Sequence, residues 1–327
     1  MKRRDVLKLA GAGMVWPLFA PREAFAQSRY PNRPVRLIVP YAPGGVVDVV
    51  ARQWGERVKE TLGSIVVENQ GGGGGTIGAS NVMRAPADGY TLLFGDTSTQ
   101  VIAPAIMATP PYDPVTSFIP VAMVATSSTS IVVHPSVPAK TLSEFVTYAR
   151  SRGKDLSYGS AGTGTVTHLA GELFKQLINA PDITHVPYRG AGPAINDLLA
   201  GAIPIMTPNI TGQVLELHRS GRLRILAVCS PSRMKAAPDL PIAAETLPGL
   251  VVQLSSGVFA PANTPGDVVD TIAKATAAVV SDPSFVAAME AAGLDTRTDT
   301  TPVAAAAYIK AERERLVPVI QAAGIKT

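Results

Sequence analysis

The chain has 327 residues, of which 46% are hydrophobic and 17% are charged, a composition that excludes an intrinsically disordered protein. Its formal net charge is +4. The first 26 residues hold five basic and two acidic side chains, so the remainder has 24 basic against 23 acidic residues. The charge therefore gives no reason to expect nucleic acid or a membrane surface as a partner.

The first 26 residues have the pattern of an export signal. A charged start over residues 3–8 precedes an apolar stretch over 9–20, and residues 24–26, Ala-Phe-Ala, form a small-x-small cleavage site. The apolar stretch is shorter than the roughly 20 residues of a membrane span. The pair Arg3-Arg4 is typical of a twin-arginine signal, and an ordinary Sec signal with two chance arginines stays open. We predict a periplasmic protein that begins at Gln27 and is not inserted in the membrane.

Short β-branched runs alternate with amphipathic stretches along the rest of the chain. Strands are predicted at residues 35–39, 65–68, 91–94, 131–133, 156–158, 183–186, 203–206 and 223–228. Apolar residues at helical spacing predict helices over 46–62, 142–152, 166–179 and 193–200. This alternation is typical of an α/β protein with mostly parallel sheets flanked by helices, in which ligands bind beyond the carboxyl ends of the strands. A chain of this length favours two domains.

Two glycine-bearing turns each join a predicted strand to a predicted helix, one in each half of the chain. The first spans residues 40–48 and the second spans 159–167. The free N–H groups and the positive dipole end of a helix N-terminus can bind an anion. Two such turns facing each other would clamp a small anion between them.

Other chemistry is weakly indicated. Residues 73–78 match the glycine spacing of a dinucleotide fingerprint, but no suitable acidic residue ends a second strand about 20 residues on. The lone Cys229 and four scattered histidines offer no zinc-binding spacing, so no cofactor and no metal are expected. An exported α/β hydrolase using Ser160 and His168 stays open as the alternative, although Tyr158 occupies the place of the first glycine in a nucleophile elbow.

Several motifs lie in a characteristic order across nearly the whole chain after the export signal. They occupy residues 40–52, 67–69, 86–92, 112–114, 158–164, 186–190, 220–224 and 260–265. In this set the chain resembles the extracytoplasmic solute receptors of tripartite tricarboxylate transporters, the Bug or TctC-like family of Gram-negative bacteria.

The resemblance implies a two-lobed periplasmic binding-protein fold, type II-like, with the ligand cleft between the lobes. Lobe one would comprise residues 27–128 plus 255–327, and lobe two residues 129–254. The implied function is to bind a small mono-, di- or tricarboxylate, without catalysis. The implied partners are membrane transporter subunits or a sensor kinase, and the receptor is expected to be a monomer that binds no nucleic acid.

The resemblance also implies which residues hold the ligand. In the family, both turns hold one carboxylate through backbone amides, hydroxyls and ordered water. Carried over, the ligand-binding residues are Tyr41, Ala42, Gly44, Gly45, Asp48, Ser98, Ser160, Ala161, Gly162, Thr165, Arg189 and Asn209. For Asp48 the alternative is that it only orients the glycines of its turn. For Arg189 the alternative is a solvated charge at a strand end.

Two positions depart from the family pattern. Asp96 stands where a small or hydroxyl residue is more typical, at the border of the cleft. Pro208 stands where an acidic residue often precedes the asparagine, here Asn209. The loss of that acid predicts a ligand without an amine.

Overall fold

Two β-sheets organise the part of the chain described by the computed structural model, which is residues 30–297, 300–322 and 324–326. The predicted export signal lies outside the described residues. The strands are β1 (Val35–Val39), β2 (Ile65–Asn69), β3 (Thr91–Asp96), β4 (Phe118–Ser128), β5 (Ser130–Val133), β6 (Ser157–Ser160), β7 (Thr184–Pro187), β8 (Ile205–Met206), β9 (Arg224–Val228), β10 (Gln253–Pro261) and β11 (Asp295–Thr296). The first sheet has the order β11, β4, β10, β3, β1, β2, and the second has the order β7, β6, β8, β5, β9.

Helices flank both sheets. They are α1 (Val46–Arg57), α2 (Lys59–Leu62), α3 (Thr76–Met83), α4 (Ala103–Ile106), α5 (Leu142–Arg152), α6 (Val166–Leu177), α7 (Ala191–Leu199), α8 (Gly212–Arg219), α9 (Gly266–Ser281), α10 (Pro283–Ala291) and α11 (Pro302–Ala322). A π-helical turn, Ser98–Ile102, follows β3. No helix among the residues that the structure describes combines the length and apolar character that a membrane crossing needs.

Both sheets are mixed, which corrects the expectation of mostly parallel sheets. In the first sheet β1 is parallel to β2 and β3, but β10 lies antiparallel between β3 and β4. In the second, β6 is parallel to β7 and β8, but β5 is antiparallel to β8 and β9. The physical reason is that the chain leaves the first sheet along β4 and returns along β10. Neighbouring strands that carry the chain out and back must run in opposite directions.

The two passages of the chain between the sheets are tied together by backbone hydrogen bonds. Thr129, the single residue between β4 and β5, donates its N–H to the Val252 carbonyl over 3.0 Å, and its carbonyl accepts from the Cys229 N–H over 2.8 Å. The Val252 N–H donates in turn to the Cys229 carbonyl over 3.0 Å. Cys229 is fully buried there, and burial raises the pKa of its thiol to about 12, so it is a packed strand-end residue rather than a reactive thiol.

The helix after the first turn forms where apolar spacing predicts it. Val47, Val50 and Trp54 recur at helical intervals in α1 and are buried in the largest apolar core. Full burial of such side chains stabilises the fold by roughly 1.5–3 kcal/mol each. The indole N–H of Trp54 donates to the Thr276 hydroxyl of α9 over 3.2 Å, which fixes α1 against its neighbour and so fixes the turn before it.

Candidate functional site

A cavity lies between the two sheets, beyond the carboxyl ends of β1, β3 and β6. Its free volume is about 30 Å³, enough for a water-sized molecule, so a larger ligand requires the walls to move apart. Six of the twelve residues proposed from the sequence line it: Tyr41, Gly45, Ser98, Ala161, Thr165 and Asn209. The remaining wall is formed by Val46, Val47, Asp96, Val166, Thr167, Ala191 and Leu254.

The turn before α1 leaves its helix N-terminus open toward the cavity. Gly45 is the N-cap residue of α1, and no side chain caps this end. The first N–H groups of a helix have no partner within the helix, and Val46 and Val47, which carry two of them, lie in the cavity wall. Because the helix dipole adds partial positive charge here, this end of α1 favours an anion.

Asp48 stabilises that turn through hydrogen bonds outside the cavity. Its carboxylate accepts the Gly44 N–H over 3.1 Å, the Asn69 side-chain amide over 2.8 Å and the Arg52 guanidinium over 3.0 Å. Burial alone would raise the pKa of Asp48, but the hydrogen bonds from Arg52 and Asn69 outweigh burial and lower the pKa below its ordinary value. Asp48 is therefore a charged group that holds the glycine turn in shape, and it does not line the cavity.

The second turn, in contrast, satisfies its own N–H groups. The Thr165 hydroxyl accepts the His168 N–H over 3.2 Å and donates to the Gly162 carbonyl over 2.7 Å. The Thr167 hydroxyl accepts the Ala161 N–H over 2.9 Å. The two turns are thus unequal, because hydroxyl side chains cap the start of α6 while the start of α1 stays uncapped.

Two hydrogen bonds join the two sides of the cleft, one in the cavity wall and one beside it. The Ser98 hydroxyl, after β3, accepts the Val166 N–H at the start of α6 over 3.1 Å. The Arg189 carbonyl accepts the Ala42 N–H over 3.1 Å. Each bond pairs a group near the first sheet with one near the second, so the structure shows a closed arrangement.

The glycine run that follows β2 contacts the second turn and the segment that follows β7. A Cβ placed on Gly74 would lie 2.1 Å from the Thr163 carbonyl oxygen, and one on Gly71 would lie 2.6 Å from the Arg189 carbonyl oxygen. Backbone meets backbone at these points. Glycine is required there because any side chain would hold the two halves of the cavity apart.

A buried acid lies in the cavity wall. Asp96 is fully buried, and its carboxylate accepts the Tyr41 hydroxyl and the Thr99 N–H, each over 2.9 Å. Burial raises the pKa of Asp96 against the opposing effect of these hydrogen bonds. None of the described residues lining the cavity is Lys, Arg or His.

One buried side-chain polar atom in the described part of the wall has no hydrogen-bond partner. Asn209 is 6% exposed, and its Nδ2 is buried without a hydrogen-bond partner. A buried amide donor left unpaired costs roughly 1–3 kcal/mol. This donor is therefore suited to an acceptor atom of a bound molecule.

The other six residues proposed from the sequence surround the cavity without lining it. Gly162 and Arg189 lie at a wider opening beside the glycine run, and Arg189 is exposed there. The remaining four are Ala42, Gly44, Asp48 and Ser160. Sequence reasoning missed the apolar wall. Val46, Val47 and Val166 could have been predicted to line the cavity, because they are the first residues of helices that follow the two turns. No pattern near Leu254 in the sequence indicates that it reaches the cavity.

Ser160 belongs to a buried network behind the second turn. Its hydroxyl pairs with Nε2 of His185 over 2.7 Å and accepts the Gly162 N–H over 3.1 Å. The His185 ring stacks on His168, with ring centroids 4.2 Å apart, and on Tyr158. Burial, with smaller contributions from His168 and a nearby lysine, lowers the pKa of His185 to about 3.

This network does not have the geometry of a hydrolase. Ser160 is fully buried, and its histidine partner is His185 rather than the predicted His168. An imidazole with so low a pKa is a weak general base at neutral pH. The His168 ring instead accepts the Gly164 N–H over 3.3 Å through Nδ1, so both histidines shape the turn.

The sequence matches the family model described as the tripartite tricarboxylate transporter family receptor over residues 50–325. It is 36% identical over 289 residues to a Pseudomonas sp. protein encoded in the tcbD-tcbE intergenic region, covering 88% of this chain and 85% of that protein. It is 32% identical over 321 residues to the protein BugT of Bordetella pertussis, covering 97% of this chain and 95% of BugT.

Solved structures match over nearly the same extent. The periplasmic binding protein BugD aligns with a TM-score of 0.87 at 34% identity, covering 91% of this chain and 99% of BugD. MatC from Rhodopseudomonas palustris, solved with malate, gives 0.85 at 32% identity over 89% of this chain and all of MatC. An R. palustris protein solved with adipate gives 0.87 at 33% identity over 91% of this chain and 99% of that protein.

These comparisons decide between the two interpretations of the sequence. The matched family and its solved structures are solute receptors, so the hydrolase alternative built on Ser160 and His168 was wrong. The two-lobed α/β fold expected from the sequence is confirmed by the same structures. The chain belongs to the tripartite tricarboxylate transporter receptor family, the Bug or TctC-like solute-binding proteins.

Proposed function

We propose that this protein is a periplasmic receptor that binds a small carboxylate in the cavity between its lobes. The observation that carries the proposal is the uncapped N-terminus of α1, whose first residues Val46 and Val47 line the cavity. Two relatives of the same fold were solved with the carboxylates malate and adipate, which supports this ligand class.

The proposed contacts divide by type. One carboxylate group accepts from the backbone at Gly45, Val46 and Val47. The hydroxyls of Ser98 and Thr165 and the amide of Asn209 border the same cavity. Tyr41 and Ala161 complete its wall, while Ala42, Gly44, Asp48, Ser160 and Gly162 shape the turns and Arg189 borders the cleft mouth. This assignment keeps the residues proposed from the sequence but gives half of them a supporting role.

The proposed mechanism is ligand-dependent closure. Residues 27–128 with 255–327 form one lobe and residues 129–254 the other, and the chain passes between them at Thr129 and Val252. A ligand that touches both walls stabilises the closed form relative to an open one. A membrane transporter subunit or a sensor kinase then recognises the closed monomer, after export and removal of residues 1–26.

Calorimetric titration of the mature chain with a panel of carboxylates, sugars and divalent metal ions tests this function. We expect at least one carboxylate to bind with a micromolar or smaller Kd and to reduce the radius of gyration in solution scattering. Binding of a sugar or a metal with no response to any carboxylate would overturn the proposal.

A further inference from the structure

The formal charge in the cavity wall is negative. Asp96 ends β3 with its carboxylate buried, and the groups that donate to it are neutral: the Tyr41 hydroxyl, the Thr99 N–H and the Thr99 hydroxyl. Among the described residues that line the cavity there is no cationic side chain. A buried carboxylate without a cation is poorly compensated, so this wall disfavours further negative charge.

The opposite wall offers a neutral donor. Asn209, whose Nδ2 is buried and unpaired, lines the cavity from the side of the second sheet. An amide accepts or donates hydrogen bonds but does not neutralise a carboxylate as Arg or Lys would. The described wall therefore holds the means to bind one carboxylate, at α1, and no charged partner for a second.

We infer that the cavity selects small monocarboxylates whose other polar group is an uncharged or cationic donor, such as a hydroxyl or an amine, over dicarboxylates. This inference rests on the proposed function and narrows its ligand class. One carboxylate of the ligand lies at the start of α1, and the donor group is directed to Asp96. A second carboxylate would share a small cavity with Asp96, and like charges so placed repel each other strongly.

The inference also changes the meaning of Pro208. The missing acid at position 208 predicted a ligand without an amine. Asp96 places a carboxylate in the same cavity from the other lobe. Under this inference an amine has a partner there, while the expectation drawn from position 208 stays a prediction that the titrations below also test.

Matched ligands test the selection. The mature wild-type protein is titrated at pH 7 with adipate, 6-hydroxyhexanoate and 6-aminohexanoate, and with succinate, 4-hydroxybutyrate and 4-aminobutyrate. At each chain length that binds, we expect the hydroxy or amino monocarboxylate to bind at least roughly tenfold more tightly than the dicarboxylate.

A dicarboxylate that binds as tightly as its matched monocarboxylates, or more tightly, would overturn this inference and leave the proposed function standing. If neither these six compounds nor any other carboxylate of the panel binds, both the inference and the proposed function fail. If another carboxylate binds, it is compared with its own matched analogues by the same criterion.

Asp96→Asn tests the source of the selection. Asparagine keeps an oxygen acceptor for the Thr99 N–H but removes the negative charge. We expect the ratio between monocarboxylate and dicarboxylate affinities to narrow to within about threefold, whereas the matched exposed substitution Asp270→Asn on α9 leaves the ratio unchanged. An unchanged ratio in a folded Asp96→Asn protein would contradict the role of Asp96. If that variant fails to fold, the wild-type ratios decide.

Discussion

Replacement of Gly74 by alanine should prevent the cavity from closing while leaving each lobe folded. The added Cβ would lie 2.1 Å from the Thr163 carbonyl oxygen, about 1 Å closer than real Cβ contacts allow. Both partners are backbone in loops that belong to different halves of the cavity, so neither can rotate away. In the proposed closure mechanism this contact is absent from the open form, and therefore its cost falls on ligand binding.

The size of the effect follows from that geometry. Overpacking by one methyl group costs about 1–3 kcal/mol, which corresponds to an increase in Kd of roughly 5- to 150-fold. Gly74 also has φ +64, where alanine is strained by about 1–2 kcal/mol. That second cost applies to the open and closed forms alike, so it lowers the melting temperature without adding to the change in Kd.

A matched variant separates these two costs. Gly221 has φ +72, and a Cβ placed on it would have no heavy atom within 4 Å, so Gly221→Ala imposes similar strain without a contact across the cavity. Calorimetric titration with a carboxylate that binds the wild type should show a higher Kd for Gly74→Ala and an unchanged Kd for Gly221→Ala. The melting temperatures of the two variants should fall by comparable amounts. Equal Kd values for wild type and Gly74→Ala would refute the reasoning.

Three further predictions concern the turns. Ser98→Ala removes the acceptor of the Val166 N–H between the lobes. The loss of one hydrogen bond, worth about 0.5–1.5 kcal/mol, should raise the Kd roughly 2- to 10-fold in the same titrations. A smaller change would count against a role for that bond in closure. Asp48→Ala removes the acceptor of the Gly44 N–H, of the Asn69 amide and of one Arg52 hydrogen bond, so urea unfolding should show a loss of about 1–3 kcal/mol. Asp48→Asn should largely restore this stability; equal losses in the two variants would be inconsistent with the hydrogen-bonding role. Burial lowers the pKa of His185 to about 3 in the folded protein, below the value of roughly 6.5 in an unfolded chain. The contribution of His185 to the free energy of unfolding should therefore be fully present above about pH 6.5 and be lost as the pH falls toward 3. His185→Gln should flatten that dependence in urea unfolding, and an equally steep profile would exclude His185 as its source.

The sequence was sufficient to locate the turns because their signals are local. Glycines that interrupt an apolar run and precede helical spacing occur within about ten residues, so α1 and α6 begin where the pattern predicts. Carrying over family motifs then brought Ser98 and Asn209 to the same cavity although they are far apart in the chain.

The other features of the fold and the site depend on contacts between distant parts of the chain, which no local sequence pattern encodes. Leu254 reaches the cavity because β10 returns beside β4, and the same return makes the first sheet mixed. The pairing of Ser160 with His185 instead of His168 follows from the parallel register of β6 and β7. The capping of α6 by hydroxyls, one of them Ser98 from the other lobe, makes two similar turns chemically unequal, and no sequence period distinguishes them.

A crystal structure of the mature protein with its tightest-binding carboxylate tests the central claim most directly. We predict one ligand carboxylate with its oxygens about 2.7–3.1 Å from the N–H groups of Val46 and Val47, between walls joined as they are here by Ser98 and Val166. A ligand carboxylate held elsewhere, with the start of α1 left unoccupied in a closed cavity, would contradict that claim.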